Sequence, residues 1–493
     1  MVGGLLEAGA AAAAAWRWDV VRVLLCSGRC GAEAVSELVR PQRGALVLAA
    51  RSRDIRAVRA LLDAGGDATS CLSTRQTPLA AAAAPGDRAI VDLLLGAGRC
   101  GDVGAADFAG RTALMRAASK GHADVIARLL QAGADGEARD KDRSTAPMEA
   151  ALLQRGNAVR TLLRSGRCGD VNSTNWAERT APHHAAAVGD VAILTRLLSA
   201  GTDPSAADVE GSTSLAEAAC RGSTAAVVRL LETGRCMDVD ATHWQGRTAL
   251  HNDASVGSRE VARALLAAGA DPGIADEDGC TVLMLAAEGR VSLVELLLAS
   301  GRELRINAGS RRARSDRTIA ATGMSSVCNV AALLAAGADT LLRDRSGETT
   351  LTSAMHRMNL AAAELFVEHT DDVGSSSRPV DRAMMEASLM SAVSAFKHMP
   401  RSEGGLQRKR VVRVVQGLLY READPRRTLE LCRQVGASSL PREAHSLVSR
   451  AASKGPDAVC SSDRWHRRRP LVMWGRGLVG CRGAAADLAL EPE

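Results

Sequence analysis

The sequence predicts an all-α solenoid: short helix–turn–helix units stacked side by side, β-turn fingers projecting between them, and a helical or irregular extension at the C-terminal end. Three observations predict it. A start signal, a Thr followed by an apolar helical face, recurs at Thr77, Thr112, Thr145, Thr180, Thr213, Thr248, Thr281 and Thr349, at spacings of 35, 33, 35, 33, 35, 33 and 68 residues. A helix-ending Ala–Gly pair keeps register with it at Ala64–Gly65, Ala132–Gly133, Ala200–Gly201, Ala268–Gly269 and Ala336–Gly337. The composition is 46% hydrophobic but only 2% aromatic, so Ala and Leu must fill the core, which suits closely spaced helices.

The unit from Gly110 to Asp142 shows why each element forms. Thr112 is a good helix N-cap, and Leu114, Ala117 and Ala118 follow it on one helical face. Gly121 breaks the chain. A second helix then buries Val125, Ile126, Leu129 and Leu130, and Gly133 stands where a helix end favours positive φ. Residues Ala134 to Asp142 form an extended turn leading to the next Thr. Earlier units begin near Gly44 and near Ala12, and the 68-residue spacing hides a decayed unit near Thr318. The last unit runs from Gly347 to about Pro379, lacks its Gly stop, and is expected to act as a cap.

The 33-residue period and the starts Thr77–Pro78–Leu79 and Thr248–Ala249–Leu250–His251 resemble the ankyrin-repeat family, whose pattern is T-P-L-H-x-A. The resemblance covers about ten to eleven repeats over residues 1–379. It implies L-shaped units with turn fingers and a concave face, and a protein that binds other proteins. No single repeat buries its own apolar face, so the array must fold by stacking. His183 and His251 fall at the start-motif histidine, where hydrogen bonding to backbone is expected rather than base catalysis.

The alternating 35 and 33 spacings make a pair of repeats the duplicated unit. The long members carry Gly28–Arg29–Cys30, Gly98–Arg99–Cys100, Gly166–Arg167–Cys168 and Gly234–Arg235–Cys236, with Gly301–Arg302–Glu303 as a fifth copy without Cys. Helices pack about 8–10 Å apart, which puts residues two repeats apart roughly 20 Å from one another. A disulfide needs Cα atoms within about 7 Å. The Cys series is therefore read as inherited and packed, not as a bridge or zinc framework. Four residues before the start Thr lies the finger tip. On three long members it is aromatic, Phe108, Trp176 and Trp244, in a chain with only ten aromatics. The short members carry Asp140–Lys141–Asp142, Asp208–Val209–Glu210 and Asp276–Glu277–Asp278 there. Exposed aromatics are typical interface anchors. Either Phe108, Trp176 and Trp244, with Asp140, Asp142, Asp208, Glu210, Asp276 and Asp278, grip a partner with a basic surface, or the rings lie on neighbouring fingers and stiffen the array.

The C-terminal part differs in charge. Residues 400–493 hold 18 Lys+Arg against 10 Asp+Glu, leaving 44 against 46 in residues 1–399. Residues 380–424 read as a helical extension or cap, with Arg408–Lys409–Arg410 beside Val411, Val412, Val414 and Val415 suiting a basic helix leaning on the array end or a nuclear import signal. Residues 425–493 read as a basic, poorly ordered tail. Thr428–Leu429–Glu430–Leu431–Cys432–Arg433 followed by Leu440–Pro441 resembles a SOCS box, with a shorter gap and a Leu-to-Cys spacing off by one. Arg311, Arg312, Arg314 and Arg317 form a basic loop, read as solvated charge.

Gly475–Arg476–Gly477–Leu478–Val479–Gly480 has the spacing of a dinucleotide loop, but the thirteen residues after it leave no room for the required βαβ unit. No membrane span and no secretion signal is read, so the twelve Cys are expected as thiols and the protein in the cytoplasm or nucleus. The expectation is a monomeric, non-catalytic scaffold without cofactor or metal. The alternatives are a ubiquitin-ligase adaptor acting through the tail, or a tail that associates with nucleic acid or acidic surfaces.

Overall fold

The structure is a computed structural model. It describes residues 44–63, 67–69, 71–97, 101–236, 238–287, 290–308, 327–339, 350–356 and 359–369, together with Arg410, Arg413 and Val414. The chain divides into two compact units, Met1–Trp244 with Ala267–Gly269, and Gln245–Leu266 with Ala270–Glu493.

The described part of the first unit is six helix pairs: α1 (Ala45–Arg51) and α2 (Ile55–Asp63), α3 (Pro78–Ala83) and α4 (Arg88–Gly96), α5 (Ala113–Lys120) and α6 (Ala123–Gln131), α7 (Ala146–Leu152) and α8 (Gly156–Arg164), α9 (Ala181–Val188) and α10 (Val191–Ser199), α11 (Ser214–Cys220) and α12 (Thr224–Glu232). First helices pack on first helices, α1–α3–α5–α7–α9–α11, and second on second, α2–α4–α6–α8–α10–α12. Contacts thus run between neighbouring repeats, as a solenoid requires.

The second unit holds α13 (Ala249–Val256), α14 (Arg259–Ala267), α15 (Val282–Ala287), α16 (Val291–Ala299), α17 (Val327–Ala335), α18 (Thr350–His356) and α19 (Leu360–His369). Here α13 packs on α15, α16 on α17, and α17 on α19. Helix α17 is the second helix of the decayed unit; the Arg311–Arg317 loop before it lies outside the described residues. So does the first unit expected near Ala12.

Local chemistry explains the helices. Thr77, Thr112, Thr213 and Thr281 are N-caps whose hydroxyls accept from the amides of Ala80, Met115, Ala216 and Met284 at 3.1–3.4 Å. Asp87 and Asp190 cap the second helices α4 and α10 in the same way. Gly133 has φ +92°, the left-handed conformation anticipated at that helix end. The core is a ladder of alanines: Ala82, Ala117, Ala150, Ala185, Ala218 and Ala286 occupy equivalent first-helix positions and are completely buried. Leu94, Leu129, Leu162, Leu197 and Leu230 do the same for the second helices. Small side chains on the first helices are what allow close packing there. At the equivalent position of α13 stands Asp253, also completely buried, with no side-chain partner for its carboxylate and only the Ser258 and Ala262 backbone amides near it.

The Gly-Arg motif of the long repeats acquires a role. Arg167 donates to the Leu130 carbonyl at 2.7 Å, and Arg302 to the carbonyls of Ala270 and Leu266, both at 2.9 Å. Each guanidinium thus caps the C-terminal end of the preceding repeat's second helix, where carbonyls lack intrahelical partners. That contact involves Arg and not Cys, which accounts for a fifth copy, Arg302–Glu303, that keeps only the Arg. Cys168 is buried and Cys236 half-buried, and burial pushes both thiols up to about 11, so they stay protonated. Cys30 and Cys100 lie outside the described residues.

In the extension, Arg410, Arg413 and Val414 are helical. Arg413 pairs with Glu364 of α19 at 2.7 Å, Arg410 pairs with the same carboxylate at 3.8 Å, and Val414 is fully buried. Part of the basic segment therefore leans on the last described helix pair. The rest of residues 370–493, with the expected boundary at 424, lies outside the described residues.

Candidate partner-binding fingers

Five of the described fingers are tight hairpins closed at the base by an Asp or Asn; the finger before Phe108 has Leu72 at that position and the Trp244 finger has His243. In the first unit Asp107 accepts from the amides of Ala109 and Arg111, Asp140 from Asp142 and Ser144, Asn175 from Ala177 and Arg179, and Asp208 from Glu210 and Ser212, at 2.8–3.0 Å. In the second unit Asp276 accepts from Cys280 at 2.8 Å. The second carboxylate oxygen holds an arginine from the preceding long finger: Arg179 to Asp208 at 2.9 Å, Arg247 to Asp276 at 3.1 Å, and Arg111 to Asp140 at 3.9 Å. Asp107 is held instead by Arg116 of α5, the helix that follows its own finger.

Successive fingers are joined edge to edge. The amides of Phe108, Lys141, Trp176, Val209 and Trp244 donate to the carbonyls of Thr74, Ala109, Asp142, Ala177 and Glu210 at 2.6–3.2 Å, and in the second unit Glu277 donates to Gln245 at 2.9 Å. Gly110 makes this spacing possible: it has φ +77°, and a Cβ there would lie 2.8 Å from the Lys141 nitrogen.

The nine residues expected to grip a partner separate into two groups. Phe108, Trp176 and Trp244 are 53%, 66% and 60% exposed, and Val209 on the intervening finger is 59% exposed. Asp142 and Glu210 are exposed and Asp278 is half-buried. Asp140, Asp208 and Asp276 are buried, and their carboxylates bond the finger's own backbone and a neighbouring Arg. They are finger framework, and the acidic surface is narrower than the sequence motif implies. The rings also contact their neighbours. The Arg75 and Arg143 guanidinium groups lie 5.1 and 5.2 Å from the ring centres of Phe108 and Trp176, and the Trp176 indole N–H donates to the Lys141 carbonyl at 2.7 Å. Phe108 and Trp176 thus lean on the preceding finger, and all three rings keep more than half of their surface exposed.

Behind the fingers sits a polar layer in which the start motif marked His183 and His251 but not Glu149 or Glu217. Burial raises the carboxyls of Glu149 and Glu217, opposed by Arg111 and Arg179 respectively. Arg179 also bonds Glu217 at 2.9 Å. His184 is pushed down to about 4, first by burial and then by Arg179 and His183. His183 is buried: its Nε2–H donates to the Ser212 carbonyl at 3.1 Å and its Nδ1 accepts the Thr180 amide at 3.2 Å. His251 repeats this with Cys280 at 3.2 Å and Thr248 at 3.3 Å. In each ring Nδ1 closes the N-cap of its own helix and Nε2 links the repeat to the next one. Among the described residues no group of three or more His, Cys, Asp or Glu side chains is placed to hold a metal, and no helix is long and apolar enough to cross a membrane.

Stacked helix pairs, Thr caps, bridging histidines and finger hairpins together define a finger-bearing repeat solenoid. The family model for ankyrin repeats (three copies) matches residues 46–140, 81–175, 182–276 and 215–308, more than half of the chain, and the chain belongs to the ankyrin-repeat family. Among curated proteins it is 34% identical over 197 residues to protein glp-1 of Caenorhabditis elegans, covering 36% of this chain and 15% of that protein. It is 30% identical over 226 residues to the mouse B-cell lymphoma 3 protein homolog, covering 44% and 49%. The chain thus spans less than half the length of these relatives. The solved ankyrin repeat domain of human ASB11 aligns at 28% identity and a TM-score of 0.38, covering 42% of this chain and 90% of that domain.

Proposed function

We propose that this protein is a non-catalytic scaffold that holds a protein partner along the finger row of its first unit. The observation that carries the reading is the exposure of Phe108, Trp176 and Trp244 at equivalent tips, in a protein that otherwise places few aromatics anywhere. Large exposed rings held by hydrogen-bonded backbone lose little entropy on binding, which is what interface anchors require. Asp142 and Glu210 beside them, with Asp278 on a finger of the second unit, favour a partner with a basic surface. We place the protein, as a monomer, inside the cell, where a buried thiol such as Cys168 stays reduced. The adaptor and nucleic-acid readings of the tail gain no support from Arg410 and Arg413, whose charges face Glu364.

The test is affinity capture with the full chain against a variant carrying Phe108→Ser, Trp176→Ser and Trp244→Ser. The captured partner should be depleted at least tenfold while far-ultraviolet circular dichroism is unchanged. Capture that survives the triple substitution would sink the proposal.

A further inference from the structure

The three aromatic fingers differ in one respect. Phe108 faces Arg75 and Trp176 faces Arg143, and both arginines hold left-handed backbone, φ 58° and 59°. Non-glycine residues adopt that conformation at a cost. The equivalent residue before Trp244 is Gly211, with the same backbone hand, φ 78°, and no side chain. Among the described residues no guanidinium lies over the Trp244 ring; its ring neighbour is His243, centroids 6.5 Å apart. The charge of the facing finger changes too. Thr74–Arg75 and Lys141–Asp142–Arg143 are net positive, whereas Val209–Glu210–Gly211 is net negative, and the Glu210 side chain is exposed. The Glu210 carbonyl accepts the Trp244 amide at 2.6 Å, so that carboxylate belongs to the finger with which the Trp244 backbone pairs.

We propose that the exposed face of Trp244 is a subsite for a cationic side chain, Arg or Lys, of a protein partner, standing where Arg75 and Arg143 stand on the other two rings. This rests on the finger-row reading and adds its chemistry at one position. The indole face attracts the cation through its quadrupole, and Glu210 supplies the countercharge that the other two fingers supply less of. Arg75 and Arg143 stay within the chain, so the first two rings present an already cation-capped surface. Trp244 alone of the three is left to take its cation from outside.

The probe is a fluorescently labelled tri-arginine peptide with a tri-citrulline peptide as neutral control, titrated by anisotropy into the full chain at low salt. The arginine peptide should bind more tightly than the citrulline peptide. Trp244→Ser and Glu210→Gln should each weaken it roughly two- to fivefold, the range for a cation on an exposed ring. Gly211→Arg should weaken it as much by filling the place in cis. A Cβ at this position would lie 3.1 Å from the Thr242 carbonyl oxygen and 3.2 Å from the His243 Cα, so Gly211→Ala measures the cost of the Cβ itself and should leave binding unchanged. Equal binding of the citrulline peptide, or wild-type affinity in both Trp244→Ser and Gly211→Arg, overturns the subsite. Partner capture lost in the triple Ser variant but intact in Gly211→Arg also overturns it while leaving the finger-row reading in place. Capture indifferent to the triple variant removes the row reading alone, and the peptide titration then decides the subsite.

Discussion

Asp208 and Glu210 sit two residues apart on one finger, one buried and one exposed. Removing the buried carboxylate strands the amides of Glu210 and Ser212 and leaves the Arg179 guanidinium with Glu217 alone. Asp208→Ala should therefore lower stability by about 1–3 kcal/mol, the cost of leaving buried polar groups unpaired. Glu210→Gln should stay within about 0.5 kcal/mol, as surface changes do. Urea unfolding of the two variants separates framework from surface. Asp253 gives a second prediction at this scale. Burial pushes its carboxyl up to about 7, opposed by the Ser258 and Ala262 amides and reinforced by Glu260. A folded pKa above the unfolded one means that the unfolded chain releases the proton first as pH rises. Stability should then fall between about pH 4 and pH 7 and level off above, by up to about 4 kcal/mol for this group. Asp253→Ala, which restores the residue found at the six equivalent positions, should be more stable than the parent at pH 8 and lose this part of the pH slope. A pH profile identical to the parent's would refute the assignment.

At the scale of the element, the arginine of the Gly-Arg motif ties the end of one helix to the next repeat. Arg302→Ala should free the carbonyls of Leu266 and Ala270 and cost about 0.5–1 kcal/mol, since the side chain is exposed. Faster hydrogen exchange at the end of α14, with α18–α19 unaffected, is the measurable sign. These elements also show what a reader of the sequence can and cannot see. The helix pairs, the Thr caps and the buried faces Val125–Leu130 were legible because caps and 3.6-residue periodicity are local, and repetition multiplied each signal. The Asp140, Asp208 and Asp276 framework was hidden by the same local view: in the short repeats alone, an acidic triplet looks like a surface patch. The correcting signal was nonetheless present. Asp107 and Asn175 hold the same place in two of the long fingers, and a side chain that bonds its own backbone can recur there whatever the tip. The Arg75 and Arg143 contacts were not legible at all, because they join residues 33 positions apart through left-handed backbone that sequence pattern does not report.

At the scale of the whole molecule, a chain whose repeats touch only their neighbours has no single core to lose. Leu129 is fully buried in α6, which packs on α4 and α8. Leu129→Ala removes its methyl groups and leaves a cavity, costing about 2–5 kcal/mol at that site. In a globular domain this loss would lower protection everywhere by the same amount. Here the coupling passes through one interface at a time, so the loss should be largest in α5–α6, smaller in α3–α4 and α7–α8, and smallest in α1–α2 and α11–α12. Native-state hydrogen exchange, resolved by repeat, gives that gradient directly. A uniform drop across α1–α12 would instead mean that the first unit unfolds as one cooperative block. The distinction matters for binding. A finger row carried on locally adjustable repeats can settle each aromatic tip against a partner at the cost of one interface, and substitutions far along the stack should then leave capture by Trp176 and Trp244 intact.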